Sequence, residues 1–163
     1  MADLIASFET MGFSSVRTYI QSGNVLLESA EKNKALLISK IEAELSSRFN
    51  FQVRVVVLLQ KELAAIIKFA PDGFGQNEKK YRYDVIFLKE PLTPKEAMSS
   101  VRILEGVDSV HAGKQALYFS RLFSRASESH LTKLNGKPAY QNMTIRNWNT
   151  TTKLLELMEG QHG

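Results

Sequence analysis

The same order of helix and strand patterns occurs twice along this chain of 163 residues. In the first half, residues 1–70, the spacing of apolar side chains predicts the order α-β-β-α-β-α. In the second half, residues 81–160, it predicts β-α-β-β-α-β-α, which matches the first half except for an added opening strand. The segment 71–80 (PDGFGQNEKK) has no apolar period and is predicted to be a linker, and 161–163 forms a short tail.

Split β-α-β units in this order predict an α+β protein of two pseudo-repeated ferredoxin-like halves, each an antiparallel sheet with helices on one face. In that arrangement the opening strand is central. The first half lacks it, which would leave two neighbouring strands with unpaired backbone groups. We therefore expect either that the natural chain begins upstream of Met1 or that a partner chain in a homo-oligomer supplies the strand.

The boundaries of the predicted elements follow from apolar periodicity and from glycine and proline stops. Helices are predicted over 3–12, 31–50, 61–70, 93–106, 129–135 and 150–159. Strands are predicted over 15–21, 24–29, 51–59, 83–88, 107–111, 115–120 and 140–146. The helix from Thr93 opens with a capping box to Glu96 and with proline at its first position.

The composition excludes several kinds of chemistry. The absence of cysteine excludes disulfides, thiol nucleophiles and cysteine-ligated metals. His111, His130 and His162 are far apart and lack metal-ligand spacing, so no metal site is predicted. The chain has no P-loop, and the two glycines of 73–75 follow no strand, so no nucleotide cofactor motif is present and no cofactor is predicted.

No apolar run approaches the roughly 18–20 residues that span a bilayer, so no membrane partner is expected. The N-terminus has no basic segment before an apolar stretch, which argues against a signal peptide. Together with the lack of cysteine, this predicts a cytoplasmic protein. The net charge of +4 and the pI of about 9.3 permit an anionic partner, although many plain basic domains have similar values.

The most unusual segment, 144–153 (TIRNWNTTTK), lies where a strand is predicted to run into a helix. Either of two asparagines there is suited to cap the helix, and amides in the first turn of a helix bind anions. A tryptophan in the segment offers a stacking face, or it packs in the core. The candidate ligand-binding residues of this segment are Arg146, Asn147, Trp148, Asn149, Thr150 and Lys153.

Two further segments are weaker candidates. Tyr19, Gln21 and Asn24 belong to a hairpin whose serine, glycine and asparagine are explained first by turn geometry. Basic and aromatic residues alternate over 79–83, where Lys79, Lys80 and Arg82 form a generic nucleic-acid pattern. The strands 25–29 and 116–120 lack the glycine and aromatic pattern of RNA-recognition sheets, so RNA binding has no motif to support it.

Two of these segments resemble the bacterial domain-of-unknown-function family 1697. The resemblance rests on residues 16–25 (VRTYIQSGNV) and 144–154 (TIRNWNTTTKL), with a weaker match at 129–132, where the family more often has lysine in place of His130. It covers essentially the whole chain and implies a duplicated α+β architecture and two signature segments, not a reaction. Family members open with a strand and a glycine-rich turn that this sequence lacks, in agreement with the missing strand.

The sequence therefore favours a ligand-binding module for an anionic or nucleotide-like small molecule at the strand-to-helix junction. In this hypothesis Arg146 supplies charge, Thr150 and the first-turn amides donate hydrogen bonds, and Trp148 stacks on the ligand. Two alternatives stay open: an enzyme of unknown reaction that uses the same groove, and a nucleic-acid binder that uses the basic patch. A cluster of buried polar groups with perturbed pKa values would favour the enzyme.

Overall fold

The structure is a computed structural model that describes residues 2–20 and 23–160. The chain divides into two compact units: unit 1 is Met1–Val57 and unit 2 is Leu58–Gly163. The division falls earlier in the chain than the boundary predicted at 71–80, which stays a prediction. Both units combine helices with an antiparallel sheet, so the fold class is α+β.

Unit 1 is a helix, a hairpin and a second helix around a small core. Helix α1 is Ala2–Thr10, strands β1 and β2 are Ser14–Tyr19 and Asn24–Glu28, and helix α2 is Lys34–Phe49. The two strands pair antiparallel and form a two-stranded sheet. Asn33 caps α2, because its side chain accepts a hydrogen bond from the backbone N–H of Leu36. The core consists of Phe8, Phe13, Leu37, Ile41 and Leu45.

The strand predicted over 51–59 is wrong, because the structure has no strand there. Val53 and Val55 still pack on the core of unit 1. Their backbone amides are satisfied by side chains of α2: Val53 N–H donates to the Ser46 hydroxyl over 2.8 Å and Val55 N–H to the Glu42 carboxylate over 3.0 Å. The valine-rich pattern therefore indicates that this segment is packed on the core, and it does not indicate that the segment pairs in a sheet.

Unit 2 is built on a four-stranded antiparallel sheet in the order β4-β5-β3-β6. Its strands are β3 (Tyr81–Leu88), β4 (Asp108–Ala112), β5 (Ala116–Leu122) and β6 (Met143–Asn147). Its helices are α3 (Gln60–Lys68), α4 (Pro94–Met98) and α5 (Trp148–Gly160), and three 3-10 turns follow β5 at Phe123–Glu128, Leu131–Gly136 and Pro138–Asn142.

Helical segments cover both faces of this sheet, whereas the sequence predicted helices on one face. On the first face, the Tyr118 hydroxyl donates to the Ile66 carbonyl of α3 over 2.6 Å, and α3 packs against α5. On the second face, Ile86 and Phe119 pack against Ala97 of α4 and against the 3-10 turns. Because both faces of the sheet are covered, this central strand is apolar on both sides from Val85 to Leu88.

Two predicted helices of unit 2 differ from the structure. The helix predicted over 93–106 ends at Met98. Side chains bond the backbone groups that a longer helix would use: the Ser99 hydroxyl donates to the Glu96 carbonyl, and the Asp108 carboxylate accepts from the Leu104 N–H. The helix predicted over 129–135 is a 3-10 turn. Among the described residues, no helix has the length and apolar character needed to cross a bilayer.

Candidate functional site

The first turn of α5 is capped by Asn147 and not by Asn149. The Asn147 Oδ1 atom accepts a hydrogen bond from the Thr150 N–H over 2.8 Å, and the Asn147 carbonyl accepts from the Thr151 hydroxyl over 2.9 Å. The Thr152 hydroxyl donates to the Asn149 carbonyl over 3.1 Å. The hydroxyls of Thr151 and Thr152 are thus bonded to backbone carbonyls of the junction. The backbone amides of the first two helix residues, Trp148 and Asn149, have no acceptor inside the helix.

Arg146 is held along its own strand. Its Nη1 donates to the Thr144 hydroxyl over 2.7 Å and to the Ile145 carbonyl over 2.8 Å. Burial lowers the pKa of the Arg146 guanidinium below its ordinary value, and Tyr140 acts in the opposite direction. Arg146 therefore lies in β6 as a half-buried charge that is engaged by backbone and hydroxyl acceptors.

Trp148, the first residue of α5, packs against the segment 71–80. Its ring meets that of Phe74 edge to face, with centroids 5.1 Å apart. Phe74 is buried and also makes edge contacts with Tyr83 and Tyr118. The indole therefore belongs to an aromatic group of four rings, in line with the core-packing alternative for this residue.

Lys153 lies one turn beyond Asn149 on the same side of α5, because residues four apart share a helix face. Its ammonium is 3.2 Å from the Glu156 carboxylate, and the two side chains are 42% and 71% exposed. The Asn149 side chain is exposed as well. This face therefore presents an amide and an ammonium to solvent near the N-terminus of the helix.

The hairpin candidates belong to unit 1. Asn24 faces Tyr19 in the ladder, and its side-chain amide donates to the Tyr19 carbonyl over 3.1 Å. Asn24 is buried, and this bond joins the start of β2 to the end of β1. Gln21 lies outside the described residues. The β6–α5 residues all belong to unit 2, so the structure describes the two predicted segments in different units.

A group of charged residues that was not predicted from the sequence lies on the second face of the sheet in unit 2. Arg121 of β5 stands opposite Asp108 of β4 on one side and opposite Arg82 of β3 on the other. Asp84, two residues along β3, stands opposite Asn147 of β6. We refer to Arg82, Asp84, Asp108 and Arg121 as the sheet-end cluster.

The carboxylates of the sheet-end cluster are buried. Asp84 and Asp108 are each 8% exposed. The Arg121 guanidinium approaches Asp84 to 3.9 Å, which is longer than a hydrogen bond. Burial raises the pKa of Asp84 above its ordinary value, while Arg121 and Arg82 act to lower it. A signal was present in the sequence at Asp84, where a charged residue interrupts an apolar strand pattern.

The model of the family described as "Protein of unknown function (DUF1697)" matches residues 1–118. The chain belongs to this family. The match includes the hairpin segment 16–25 and ends before the signature at 144–154. The DUF1697 assignment confirms the resemblance drawn from the sequence. Membership of this family does not identify a reaction or a ligand.

A solved structure supports the fold of this DUF1697 chain over nearly its whole length. The conserved bacterial protein SP0830 from Streptococcus pneumoniae is similar, with a TM-score of 0.83 and 25% sequence identity. The similarity covers 98% of this chain and 88% of that one. No match was found among curated proteins.

Two other features of the DUF1697 chain carry little chemistry. Over residues 2–20 and 23–160, no group of three or more metal-binding side chains comes together. Unit 1 has an open depression of about 540 Å³ that is lined by Thr10, Met11, Lys40, Ala43 and Glu44. The Lys40 ammonium is already engaged there, because it donates to the Met11 carbonyl over 2.7 Å and lies over the Phe13 ring.

Proposed function

We propose that unit 2 binds a small anionic ligand, of the phosphate or nucleotide type, at the first turn of α5. The observation that carries the proposal is the shared, solvent-accessible face of Asn149 and Lys153 beside the helix N-terminus. The first-turn amides and the helix dipole favour an anion at this position. Lys153 adds a full positive charge, and the Asn149 side chain adds a hydrogen-bond donor.

The other predicted residues of the segment have a supporting role in this proposal. Asn147 fixes the start of the helix, and Thr150 gives its amide to that cap. Trp148 anchors the turn through its contact with Phe74. Arg146 contributes positive potential from β6, since its hydrogen bonds are made within the strand.

The ion pair between Lys153 and Glu156 is compatible with ligand binding. Both side chains are accessible to solvent. An exposed pair of this kind contributes about 0–1 kcal/mol, so an anion with several donors around it competes effectively for the ammonium. Glu156 therefore competes with the ligand for the Lys153 ammonium, and replacing Glu156 should strengthen ligand binding.

The test compares two charge-neutralising variants on the same helix face. Thermal shifts are measured for the wild type, Lys153→Gln and Glu156→Gln with inorganic phosphate, nucleoside monophosphates and acidic metabolites. We expect an anion to stabilise the wild type, to stabilise Glu156→Gln more strongly, and to lose most of its effect on Lys153→Gln. A ligand that binds only the folded state adds about 2.7 kcal/mol at a concentration 100 times its Kd.

Equal shifts in all three proteins would place the anion elsewhere, and no shift with any anion would contradict the proposal. Arg17→Ala on β1 serves as a control for loss of an unrelated positive charge. The hairpin residues Tyr19, Gln21 and Asn24 stay a separate proposed ligand-contact segment within unit 1. Tyr19→Phe tests it, because an unchanged shift in that variant removes the Tyr19 hydroxyl from the ligand contacts.

Nucleic-acid binding is the second candidate function, and one group of contacts favours it. The Arg82 guanidinium lies 4.5 Å from the ring centroid of Phe123, which is 51% exposed. The Lys80 ammonium lies 5.4 Å from the ring of Tyr81, and Lys79 is exposed beside it. Such basic and aromatic surfaces bind single strands by stacking and charge.

Fluorescence anisotropy with a labelled single-stranded oligonucleotide checks this alternative. Affinity that falls with salt and is weakened by Arg82→Gln and Phe123→Ala would support it. Binding that is absent at low salt would contradict it.

We also propose that each unit derives from one ferredoxin-like repeat. The order β4-β5-β3-β6 supports this for unit 2, because the first strand of the unit, β3, is central. A homodimer would complete the sheet of unit 1. In this unit β2 pairs with β1 alone among the described strands. A second copy that pairs through β2 would extend that sheet symmetrically. Sedimentation equilibrium tests the proposed dimer, and a monomer at every concentration would contradict it.

The boundary at 71–80 and the cytoplasmic location stay predictions. The segment 71–80 lies within unit 2, where Phe74 and Gly75 contact Trp148. Limited proteolysis followed by mass spectrometry checks the boundary. Cleavage confined to 71–80 would support two halves that meet there, and cleavage near residue 57 would support the division into units.

A further inference from the structure

Strand β4 forms one edge of the sheet in unit 2, and its register shows which of its backbone groups point out of the sheet. The Gly113 N–H donates to the Ala116 carbonyl over 2.8 Å, just beyond one end of the strand. At the other end the Leu122 N–H donates to the Val107 carbonyl over 2.9 Å. Hydrogen-bonded positions alternate along an antiparallel pair. The odd-numbered residues from 107 to 113 therefore bond to β5, and the even-numbered residues direct their N–H and C=O groups away from it.

The outward groups of β4 belong to Asp108, Val110 and Ala112. The Asp108 N–H is engaged, because it donates to the Leu104 carbonyl over 2.9 Å. On the outer side of Val110 and Ala112, residues 2–20 and 23–160 provide neither a paired strand nor another backbone partner. Ala112 is exposed and Val110 is half-buried. Four backbone groups, two N–H and two C=O, are therefore open to an added strand.

The opposite edge of the same sheet is closed by side chains. The same alternation along β6 directs the carbonyls of Ile145 and Asn147 outward. The Ile145 carbonyl accepts from the Arg146 guanidinium over 2.8 Å, and the Asn147 carbonyl accepts from the Thr151 hydroxyl over 2.9 Å. Proteins protect exposed sheet edges from pairing with other chains. In the described part of the chain, this protection is present on β6 and not on β4.

A basic and aromatic surface adjoins the open edge at the turn between β4 and β5. Phe69, the residue that follows α3, is 56% exposed. The ammonium groups of Lys68 and Lys114 lie 5.6 and 5.2 Å from the centroid of its ring. Neither ammonium pairs with a carboxylate of the described residues. The two positive charges therefore favour a negatively charged group at this end of β4.

The two faces of the sheet differ beside the open edge. Val110 packs on the core of the second face. His111 stands opposite Tyr118, whose hydroxyl bonds to α3 on the first face. Side chains of a strand alternate between the two faces, so an added strand presents every second side chain to each of them. Apolar side chains suit the second face beside Val110, and polar or acidic ones suit the first face.

We propose that β4 binds a short, extended, acidic peptide segment of a partner protein, which adds as a fifth strand to the four-stranded sheet. The segment runs antiparallel to β4. Its backbone exchanges hydrogen bonds with Val110 and Ala112, and carboxylates at its N-terminal end meet the ammonium groups of Lys68 and Lys114. A peptide fits better than a nucleic acid, because the open groups are backbone donors and acceptors that alternate along a strand. The interaction uses none of the residues proposed for the anion at α5.

The probe is a fluorescein-labelled heptapeptide of two glutamates followed by alternating valine and threonine, which ends in valine. Its binding to the full chain is measured by fluorescence anisotropy, and we expect a Kd below about 1 mM. N-methylation of its first two valines removes the N–H donors that face Val110 and Ala112. This change should weaken binding by about tenfold or more, since backbone hydrogen bonds are lost. Replacing the two glutamates by lysines should weaken binding as well, because like charges then meet at Lys114.

Three variants locate the peptide on the protein. Ala112→Pro removes an outward N–H and keeps the bonds to β5, because proline is tolerated on an edge strand where its nitrogen faces solvent. It should weaken the glutamate peptide by about tenfold. Lys114→Gln should weaken it by about threefold to fivefold, as loss of an exposed ion pair does. Lys133→Gln replaces an exposed lysine elsewhere in unit 2 and should change nothing.

Failure of the glutamate peptide to bind at about 1 mM would overturn the proposal. Equal affinity for the N-methylated peptide would overturn it as well, even if Ala112→Pro does not fold. Equal affinity for the lysine peptide would overturn the acidic partner. A dimer that dissociates in Ala112→Pro, with no peptide bound by the wild type, would assign this edge to a second copy of the chain and overturn the peptide proposal.

Discussion

The indole of Trp148 lies directly against the backbone of Gly75. A Cβ atom added at Gly75 would overlap the indole Nε1 and Cδ1 atoms. Gly75 also has φ of +82°, a conformation that residues with a side chain rarely adopt. Two independent features thus require glycine here, and both tie the first residue of α5 to the segment 71–80.

Gly75→Ala should therefore destabilise unit 2 through two separate effects. The left-handed backbone costs about 1–2 kcal/mol for a residue with a Cβ. Displacement of the indole adds about 1–3 kcal/mol, as overpacking of a filled site does. Gly73→Ala is the matched control, since Gly73 has φ of +80° but nothing within 4 Å of the added Cβ. Chemical denaturation measures both losses, and equal losses would contradict the close contact with Trp148.

The cap of α5 gives a second prediction. Asn147→Ala should lower the free energy of unfolding by about 0.5–2 kcal/mol, because the Thr150 amide loses its acceptor. Asn149→Ala removes an exposed side chain of the same size and should cost less than about 0.5 kcal/mol. Thermal denaturation of the two variants checks the assignment. A larger loss in Asn149→Ala would mean that Asn149, two residues later, is the cap.

Local signals predicted several elements well. The capping box of α4 is present as expected, with Thr93 accepting from the Glu96 N–H and the Glu96 carboxylate accepting from the Thr93 N–H. The hairpins of both halves and the strand-to-helix junction at 144–153 were also predicted. Each of these depends on residues close in sequence, where turn and cap chemistry acts directly.

Features set by distant residues were not predictable in this way. The valine-rich segment 51–59 has the composition of a strand, yet pairing needs a neighbour that composition does not specify. The sheet-end cluster brings together Asp84, Asp108 and Arg121 only through the register of three strands. For Trp148 the sequence left a stacking face and a core position open, and the contact with Phe74 depends on a residue more than seventy positions away.

The hydrogen bond between the Val53 N–H and the Ser46 hydroxyl of α2 gives a third prediction. Ser46→Ala removes the acceptor of the Val53 N–H and should cost about 1 kcal/mol in stability. It should also speed hydrogen exchange of the Val53 amide. Ser47→Ala, on the exposed side of the same helix, should change neither quantity. Equal exchange rates for Val53 in the two variants would show that the Ser46 hydroxyl does not protect this amide.

The fourth prediction concerns pH. Burial raises the pKa of Asp84 above its ordinary value of 3.8, against the opposing charges of Arg121 and Arg82. The folded protein therefore binds this proton more tightly than the unfolded chain does. The stability of the wild type relative to Asp84→Asn should fall as pH rises from 3.8 to the folded-state pKa and then stay level.

The pH prediction has a control of opposite sign. A hydrogen bond from Arg125 lowers the pKa of the exposed Glu128, so the stability of the wild type relative to Glu128→Gln should fall as pH drops through the folded-state pKa. Urea denaturation over a series of pH values measures both differences. Carboxyl carbon NMR gives the pKa of Asp84 directly. A value below 3.8 would mean that the arginines outweigh burial.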